Sequence, residues 1–163
     1  MYRFNNLVSQ RNNNMQKNAK SKRKDAEKAA VWFAYERMDV VVHAKSIQTK
    51  WQRVDFFGSD VMGKKINGQT VYIQVTAGQD SAINARKRKL EAIPWDSRDI
   101  VLLLQLKQRQ DLVNERKKQW FFKVWQYRVN ITGERIWEAW EKPVEIPKKW
   151  FKAYKKKETN HGY

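Results

Sequence analysis

The sequence feature that most restricts the fold is an almost continuous apolar run, DIVLLLQL, at residues 99–106. A run of this length without polar alternation is typical of a β-strand that is covered on both faces, as in the middle of a sheet. Such a strand needs partner strands beside it and further layers above and below it. We therefore expect a layered fold in which this strand is central.

Flanking segments supply the other strands and the helices. In chain order, the predicted elements are a basic helix at 17–38, strands at 39–44, 54–62 and 70–76, a second basic helix at 82–93, the central strand at 99–106 and an aromatic strand at 120–129. β-Branched and aromatic residues identify the strands, and helical spacing of apolar residues identifies the first helix. The second strand is expected to bend or bulge at Gly58, and Asn67–Gly68 to form the hairpin turn after it.

The connections carry weaker signals. We predict a charged loop, helical in part, at 107–119, and after Gly133 a last short strand or helix that packs on the sheet. The first three strands suit an antiparallel meander, and the helix at 82–93 suits a crossover to the central strand. The expected fold class is therefore α/β, with a mixed central β-sheet flanked by helices.

The ends of the chain differ in composition from its middle. Residues 1–16 are rich in Asn, which predicts a flexible arm. We expect one folded domain at 17–154 and a flexible basic tail at 155–163. No stretch has the apolar length of a signal peptide or of a membrane span. We therefore expect a protein that is not membrane-bound and that lies in the cytoplasm.

The charge of the chain points to a polyanionic partner. Lys and Arg number 34 against 17 Asp and Glu, so the formal net charge is +17. Nucleic acid is the simplest such partner, because neutralised phosphates release condensed counterions. There is no cysteine, and two histidines do not suffice for a multi-histidine metal site. These counts exclude disulfide scaffolds, thiolate zinc sites and cysteine nucleophiles.

Two polar residues stand out on neighbouring predicted strands. Asp60 lies in an apolar strand, against its propensity, and Gln74 lies in the third strand. Asn67 in the turn is midway between them, so the hairpin can set both at similar heights. Asp60 either accepts a hydrogen bond in a turn or binds a divalent cation. The Asp60 carboxylate, the Gln74 amide oxygen and the Val75 carbonyl are the donors that Mg²⁺ or Mn²⁺ would take.

The segment 20–106 resembles the PD-(D/E)xK nuclease superfamily, and within it the archaeal-type Holliday junction resolvases and related phage nucleases. The resemblance rests on RKDAEKAAVWFAYER, VVVHA, VDFFGSDVMG and YIQVTAG, in that order. It implies a restriction-endonuclease-like fold and a metal-binding role for Asp60. It also implies a catalytic role for Glu27 on the first helix, where a border Glu otherwise only solubilises a helix, and it matches Ser46 to a serine of the family's mobile connection.

The chain departs from the family motif on the third strand. Gln74-Val75-Thr76 stands where the family has an acid, any residue and a lysine. The resemblance therefore implies catalytic positions for Gln74 and Thr76, although Gln74 offers a neutral oxygen and Thr76 offers no cation. The positive charge that is missing must come from another residue. The candidates are Lys65, Arg86 and Lys89. Asp55 is a further acid, and a bulge at Gly58 would bring it to the same face as Asp60, although a capping role is equally open.

Basic residues gather in zones that could bind DNA. The candidate DNA-binding residues are Lys20, Lys22, Arg23 and Lys24 before Glu27, and Arg86, Lys87, Arg88 and Lys89 on the second helix. A third basic zone lies at 148–157. The alternative to DNA binding for the run 86–89 is a helix face that is simply exposed to solvent. Convergence of the zones would form a duplex-binding surface.

The expected function is a Mg²⁺-dependent Holliday junction resolvase that acts as a homodimer, since paired cuts need two active sites related by a two-fold axis. The aromatic strand at 120–129 is the expected dimer surface, unless the tryptophans after Gly133 cover it within one chain. The alternatives are a phage nuclease for other branched or duplex DNA, and a non-catalytic DNA-binding relative. The phage resemblance implies a viral source, and hence the host cytoplasm.

Overall fold

The computed structural model describes residues 2–44, 50, 56–110, 114 and 117–154, with side chains described from residue 18 onward. Its elements, in chain order, are α1 (Tyr2–Tyr35), β1 (Val40–His43), β2 (Val61–Lys64), β3 (Thr70–Thr76), α2 (Asp80–Glu91), β4 (Ile100–Gln110), β5 (Lys118–Val129), β6 (Arg135–Ala139), β7 (Val144–Glu145) and a 3-10 helix (Lys148–Phe151).

The strands form one mixed sheet in the order β1-β2-β3-β4-β5-β6, with β7 also paired to β5. Strands β1 to β3 are an antiparallel meander, and α2 connects β3 to its parallel neighbour β4. Strands β4 and β5 form a long antiparallel hairpin, and β6 and β7 pair with successive parts of β5. The predicted α/β class, with a mixed sheet flanked by helices, is confirmed.

The central strand is buried along most of the apolar run that predicted it. Residues 101–106 are all less than 7% exposed. Alternate side chains Leu102, Leu104 and Leu106 join the core beneath α1, together with Val71, Ile73 and Val75 of β3. The opposite face lies under α2, where Ile83 and Leu90 are buried. A strand covered by a helix on each face explains the unbroken apolar pattern.

Helix α1 presents a small-residue stripe to the sheet. Ala26, Ala29, Ala30, Phe33 and Ala34 are fully buried. Their helical spacing places them on one face, and the alanines allow α1 to approach the sheet closely. The helical backbone begins at Tyr2 and therefore includes the segment predicted as an arm, while the helix ends at Tyr35 rather than at Met38. Whether the arm is flexible stays a prediction.

Two of the predicted elements are wrong in part. The second strand, predicted at 54–62, is β2 at Val61–Lys64, because a tight turn precedes it. In that turn Phe57 and Gly58 both have positive φ, 55° and 80°, which strand geometry does not allow. Residues 54 and 55 lie outside the described residues.

The predicted loop at 107–119 is the other correction. Strand β4 continues to Gln110 and β5 already begins at Lys118. Polar cross-strand contacts stabilise this exposed end of the hairpin, including Arg109 Nε to Gln119 Oε1 at 3.3 Å. A ribbon with two solvated faces has no apolar alternation, so its sequence resembles a loop.

The described helices contain no segment that is long and apolar enough to cross a membrane. The tail at 155–163 and the connection that contains Ser46 lie outside the described residues.

Candidate functional site

Asp60 lies where β2 begins, and two elements fix its backbone. Its N–H donates to the carbonyl of Ile73 and its carbonyl accepts from the N–H of Ala44, both at 2.9 Å. Its side chain turns toward β3, where Oδ2 accepts from the N–H of Val75 at 3.0 Å. The carboxylate thus replaces the backbone carbonyl that a continuing β2 strand would have offered to β3.

The turn before Asp60 explains this exchange. Phe56 and Ser59 form an isolated bridge around Phe57 and Gly58, whose left-handed conformations reverse the chain. Gly tolerates that conformation, whereas Phe adopts it at a cost. Because the chain arrives at β2 from this reversal, β2 pairs with β3 only from Val61 onward. The N–H of Val75, which β2 leaves without a backbone acceptor, therefore donates to the Asp60 carboxylate.

Gln74 completes a compact group of polar atoms with Asp60 and Val75. Its Nε2 donates to Asp60 Oδ2 at 3.0 Å and to the Val75 carbonyl at 3.2 Å. Gln74 is only 7% exposed, whereas Asp60 is half-buried, so the group lies at the boundary between the interior of the fold and solvent. The hairpin spacing predicted that Asp60 and Gln74 would lie at the same height, and they are in contact.

Glu27 of α1 is buried next to this group. The residue is 5% exposed, and its carboxylate lies 3.3 Å from Arg23 Nε and 3.9 Å from His43 Nε2. A buried glutamate on a helix face is costly unless it is paired. Its charge also acts on Asp60, which marks the two carboxylates as neighbours.

The Asp60 carboxyl has a perturbed acidity. Burial raises its pKa, the Val75 N–H opposes that shift, and the negative charge of Glu27 raises the pKa further. The positive charges of Arg23 and Arg86 act in the lowering direction. The net direction is upward, so ionised Asp60 is held in surroundings that only partly compensate its charge.

Of the cations proposed to replace the motif lysine, Arg86 is the one that acts on Asp60. It lies half-buried on α2, and burial lowers its pKa while Asp60 raises it. Lys89 is exposed on the same helix. Lys65 lies in the turn that joins β2 to β3, at the opposite end of β3 from Gln74.

Thr76 has a local structural role. Its hydroxyl accepts from the N–H of Gly78 at 3.0 Å, just before α2 begins, and the residue is 4% exposed. No described contact joins Thr76 to Asp60. Asp55 and Ser46 lie outside the described residues, so their predicted roles stay predictions.

The predicted DNA-binding residues differ in exposure. Lys20, Lys22, Arg23 and Lys24 are exposed on α1, as are Arg88 and Lys89 on α2. Lys87 is half-buried, with its Nζ 3.5 Å from the centre of the Trp125 ring. The α2 run is therefore not a uniformly solvated face.

The polar group fits a hard divalent cation in part. Among the described residues, no cluster of three His, Cys, Asp or Glu side chains is placed to hold a metal ion. Turning the Gln74 amide over would, however, place its oxygen beside Asp60 Oδ2 and the Val75 carbonyl oxygen. Atoms 3.0–3.2 Å apart match the spacing of adjacent ligands around Mg²⁺, roughly 3 Å for bonds of about 2.1 Å.

His43 is a site residue that the sequence interpretation missed. It ends β1 and pairs with Val61, the residue after Asp60. The number of histidines excluded a multi-histidine metal site but gave no role to His43. Because His43 is a single histidine in a strand, no motif spacing could indicate that Glu27 lies next to it.

Comparisons of the chain with protein-family models, with curated proteins and with solved structures found no match. The functional interpretation therefore rests on the residues and their geometry.

Proposed function

We propose that the chain is a Mg²⁺-dependent endodeoxyribonuclease with a restriction-endonuclease-like PD-(D/E)xK fold, and that it cuts four-way DNA junctions as a Holliday junction resolvase. The observation that carries the proposal is the contact of Asp60, Gln74 and Val75 beside the buried Glu27. Carboxylates weaken the binding of phosphate by a chain of net charge +17. Their presence in this group therefore favours a role other than DNA binding.

In this proposal Asp60, the Gln74 amide oxygen and the Val75 carbonyl hold Mg²⁺, or Mn²⁺ in its place. The ion would supply Lewis-acid stabilisation of the phosphate and a more acidic water. The single carboxylate and the neutral amide predict a weaker site than one with two carboxylates.

The chain's own residues divide the remaining tasks. Glu27 accepts a hydrogen bond from the attacking water, and the pair with Arg23 orients its carboxylate. Arg86 contributes the positive charge that the missing motif lysine would supply, since it already acts on Asp60. The exposed basic residues of α1 and α2 bind DNA phosphates around the site. Action on viral or host DNA implies the cytoplasm of the cell.

The direct test compares substrates and metal. The protein is incubated with a labelled four-way junction and with a linear duplex of the same sequence, in Mg²⁺ and in EDTA. The proposal predicts Mg²⁺-dependent paired cuts in the junction and little cleavage of the duplex. Equal cleavage of both DNAs would replace the resolvase by a nuclease for duplex or other branched DNA.

One observation favours a second candidate, a non-catalytic DNA-binding relative. The Gln74 amide donates to Asp60 and to Val75, so the polar group satisfies itself without a cation. Such a protein would bind the junction equally well in Mg²⁺ and EDTA, and would cut it in neither.

A further inference from the structure

Two lysines from different elements meet on one tryptophan. Lys87 of α2 has its Nζ 3.5 Å from the centre of the Trp125 ring, and Lys123 of β5 has its Nζ 4.5 Å from the same centre. The separation of the two ammonium groups therefore cannot exceed the sum of these distances. Trp137 of β6 closes the group, with its ring 5.6 Å from the Lys87 Nζ.

Basic residues close to Lys87 and Lys123 form ion pairs with carboxylates, whereas Lys87 and Lys123 form none among the described residues. Lys107 on the adjacent strand lies 3.3 Å from Asp80, and Arg109 lies 2.7 Å from Glu145. Glu91 acts on the charge of Lys87, although its carboxylate accepts from the indole of Trp137 at 2.9 Å. Asp80 and Lys123 also act on each other, although the ion pair of Asp80 is with Lys107.

The electrostatics agree with this arrangement. Burial lowers the pKa of Lys87, the positive charge of Lys123 lowers it further, and Glu91 opposes the shift. A partly desolvated ammonium beside a second lysine, neither of them in an ion pair among the described residues, favours an anion with several acceptor oxygens.

We propose that Lys87 and Lys123 form a clamp for one backbone phosphate of duplex DNA, on the sheet face covered by α2. The inference rests on the proposed function only in taking DNA as the partner, and it concerns binding rather than cleavage. Charge complementarity selects this partner, because exposed Arg88 and Lys89 continue the positive surface along α2.

The clamp has a defined relation to the Asp60 site. Arg86 acts on Asp60, and Lys87 is the next residue on the same helix, about 100° further around its axis. A DNA strand that places a phosphate on Lys87 and Lys123 is therefore held by the helix that also faces Asp60. Such a contact would position the DNA without touching the reacting phosphate.

The test is a salt titration of DNA binding by fluorescence anisotropy, with a labelled linear duplex in EDTA so that cleavage does not interfere. The variants are Lys87→Gln, Lys123→Gln and the double variant. Loss of one phosphate contact lowers the log–log salt slope by about 0.9 and weakens binding roughly fivefold at about 0.15 M salt. A shared phosphate predicts that the double variant loses about 0.9 in slope, not about twice that.

The matched control is Lys142→Gln. Lys142 is exposed between β6 and β7 and lies outside the three basic zones. We expect its slope to stay closer to the wild type than that of the double variant. Lys87→Arg and Lys123→Arg keep the charge, and we expect them to retain binding; circular dichroism identifies the folded variants.

Three results would overturn the clamp. They are an unchanged slope in the double variant, a loss in Lys142→Gln that equals the loss in the double variant, and a loss of about 1.8 in the double variant, which means two separate contacts. Because every measurement is made without Mg²⁺, a clamp that fails leaves the nuclease proposal standing. An inactive Asp60 site, in turn, leaves the clamp standing.

Discussion

Asp60 is an ionisable residue whose environment favours its protonated form. Burial raises its pKa above the ordinary value of 3.8. A carboxyl with a raised pKa in the folded state contributes stability that is complete below the unfolded pKa and is lost as the pH rises through the folded pKa. Ionised Asp60 therefore lowers the stability of the protein at neutral pH.

Replacing Asp60 by Asn should raise the thermal midpoint at pH 7. Both hydrogen bonds of the carboxylate end on one oxygen, Oδ2, which the Asn oxygen can replace. The midpoint difference between variant and wild type should shrink as the pH falls from the folded pKa toward 3.8. Differential scanning calorimetry without metal, from neutral pH to about pH 4, measures it.

The control for that experiment is Asp39→Asn, which removes the same charge at an exposed position. We expect no stabilisation there. If Asp60→Asn unfolds at a lower temperature than the wild type at pH 7, burial does not dominate the energetics of Asp60.

Gln74 determines how strongly the site attracts a cation. In Gln74→Glu a second carboxylate would stand about 3 Å from Asp60 and two hydrogen bonds would be lost, so we expect a loss of about 1–3 kcal/mol at pH 7 without metal. Mg²⁺ should raise the thermal midpoint of this variant more than that of the wild type.

Exposed Gln79→Glu adds the same charge at the start of α2 and serves as the control. It should show neither the loss nor the added response to Mg²⁺. A Gln74→Glu variant whose midpoint is indifferent to Mg²⁺ would argue against a cation at this position.

At the scale of elements, the approach of β1 to β2 depends on a glycine. A Cβ built at Gly63 would lie 2.7 Å from the carbonyl oxygen of Val40 and would also collide with Met38 Sδ. Met38 can move, whereas the strand carbonyl cannot. Gly63→Ala should therefore destabilise the protein by about 1–3 kcal/mol in urea denaturation, while exposed Lys64→Ala should change little. Equal effects of the two variants would refute this packing argument.

The elements that the sequence predicted well are those in which burial leaves a pattern. Strand β3 has the predicted bounds, 70–76, and β4 contains the predicted run from Ile100 onward, because apolar side chains face a helix there. The exposed halves of β4 and β5 carry no such pattern, so 107–119 resembled a loop. The turn at Phe57 was missed because a left-handed Phe has no sequence signal.

Only the part of the candidate site that depends on spacing along the chain could be predicted from the sequence. The equal spacing of Asp60 and Gln74 from Asn67 in the hairpin turn correctly predicted that the two residues are neighbours. The proximity of Arg86 and His43 to the site depends on how α2 and β1 pack against β2 and β3, which is tertiary information. Spacing along the chain could therefore not select Arg86 over Lys65 and Lys89.

At the scale of the whole molecule, a resolvase requires two copies of the site. The second face of β5 is covered within one chain by Lys87 on Trp125 and by Trp137 stacked on Tyr127 at 4.8 Å. The β5–β6 hairpin still exposes Val129, Ile131 and Ile136. These three lie in the 120–140 region where the dimer is expected. The register places Val129 and Ile136 on opposite faces of the hairpin, with Ile131 in the turn between the strands, so a partner would enclose the tip of the hairpin.

We therefore expect a homodimer through this hairpin, and Ile131→Lys with Ile136→Glu to convert it to monomers. Light scattering at micromolar concentration, with and without a four-way junction, measures the mass. The exposed but distant Ile66→Lys is the control and should stay dimeric. A wild type that is monomeric even on the junction would contradict the resolvase and leave a general nuclease.

The central claim is that Asp60 belongs to a metal-dependent nuclease site, and cleavage by wild type and Asp60→Asn tests it most directly. Both proteins are incubated with a labelled four-way junction in Mg²⁺ and in EDTA, and binding is measured in parallel. We predict that the wild type cuts only in Mg²⁺. The Asn variant should lose most cleavage yet bind the junction equally or slightly more tightly, because the carboxylate repels phosphate. Full cleavage by the Asn variant in Mg²⁺ would contradict the assignment.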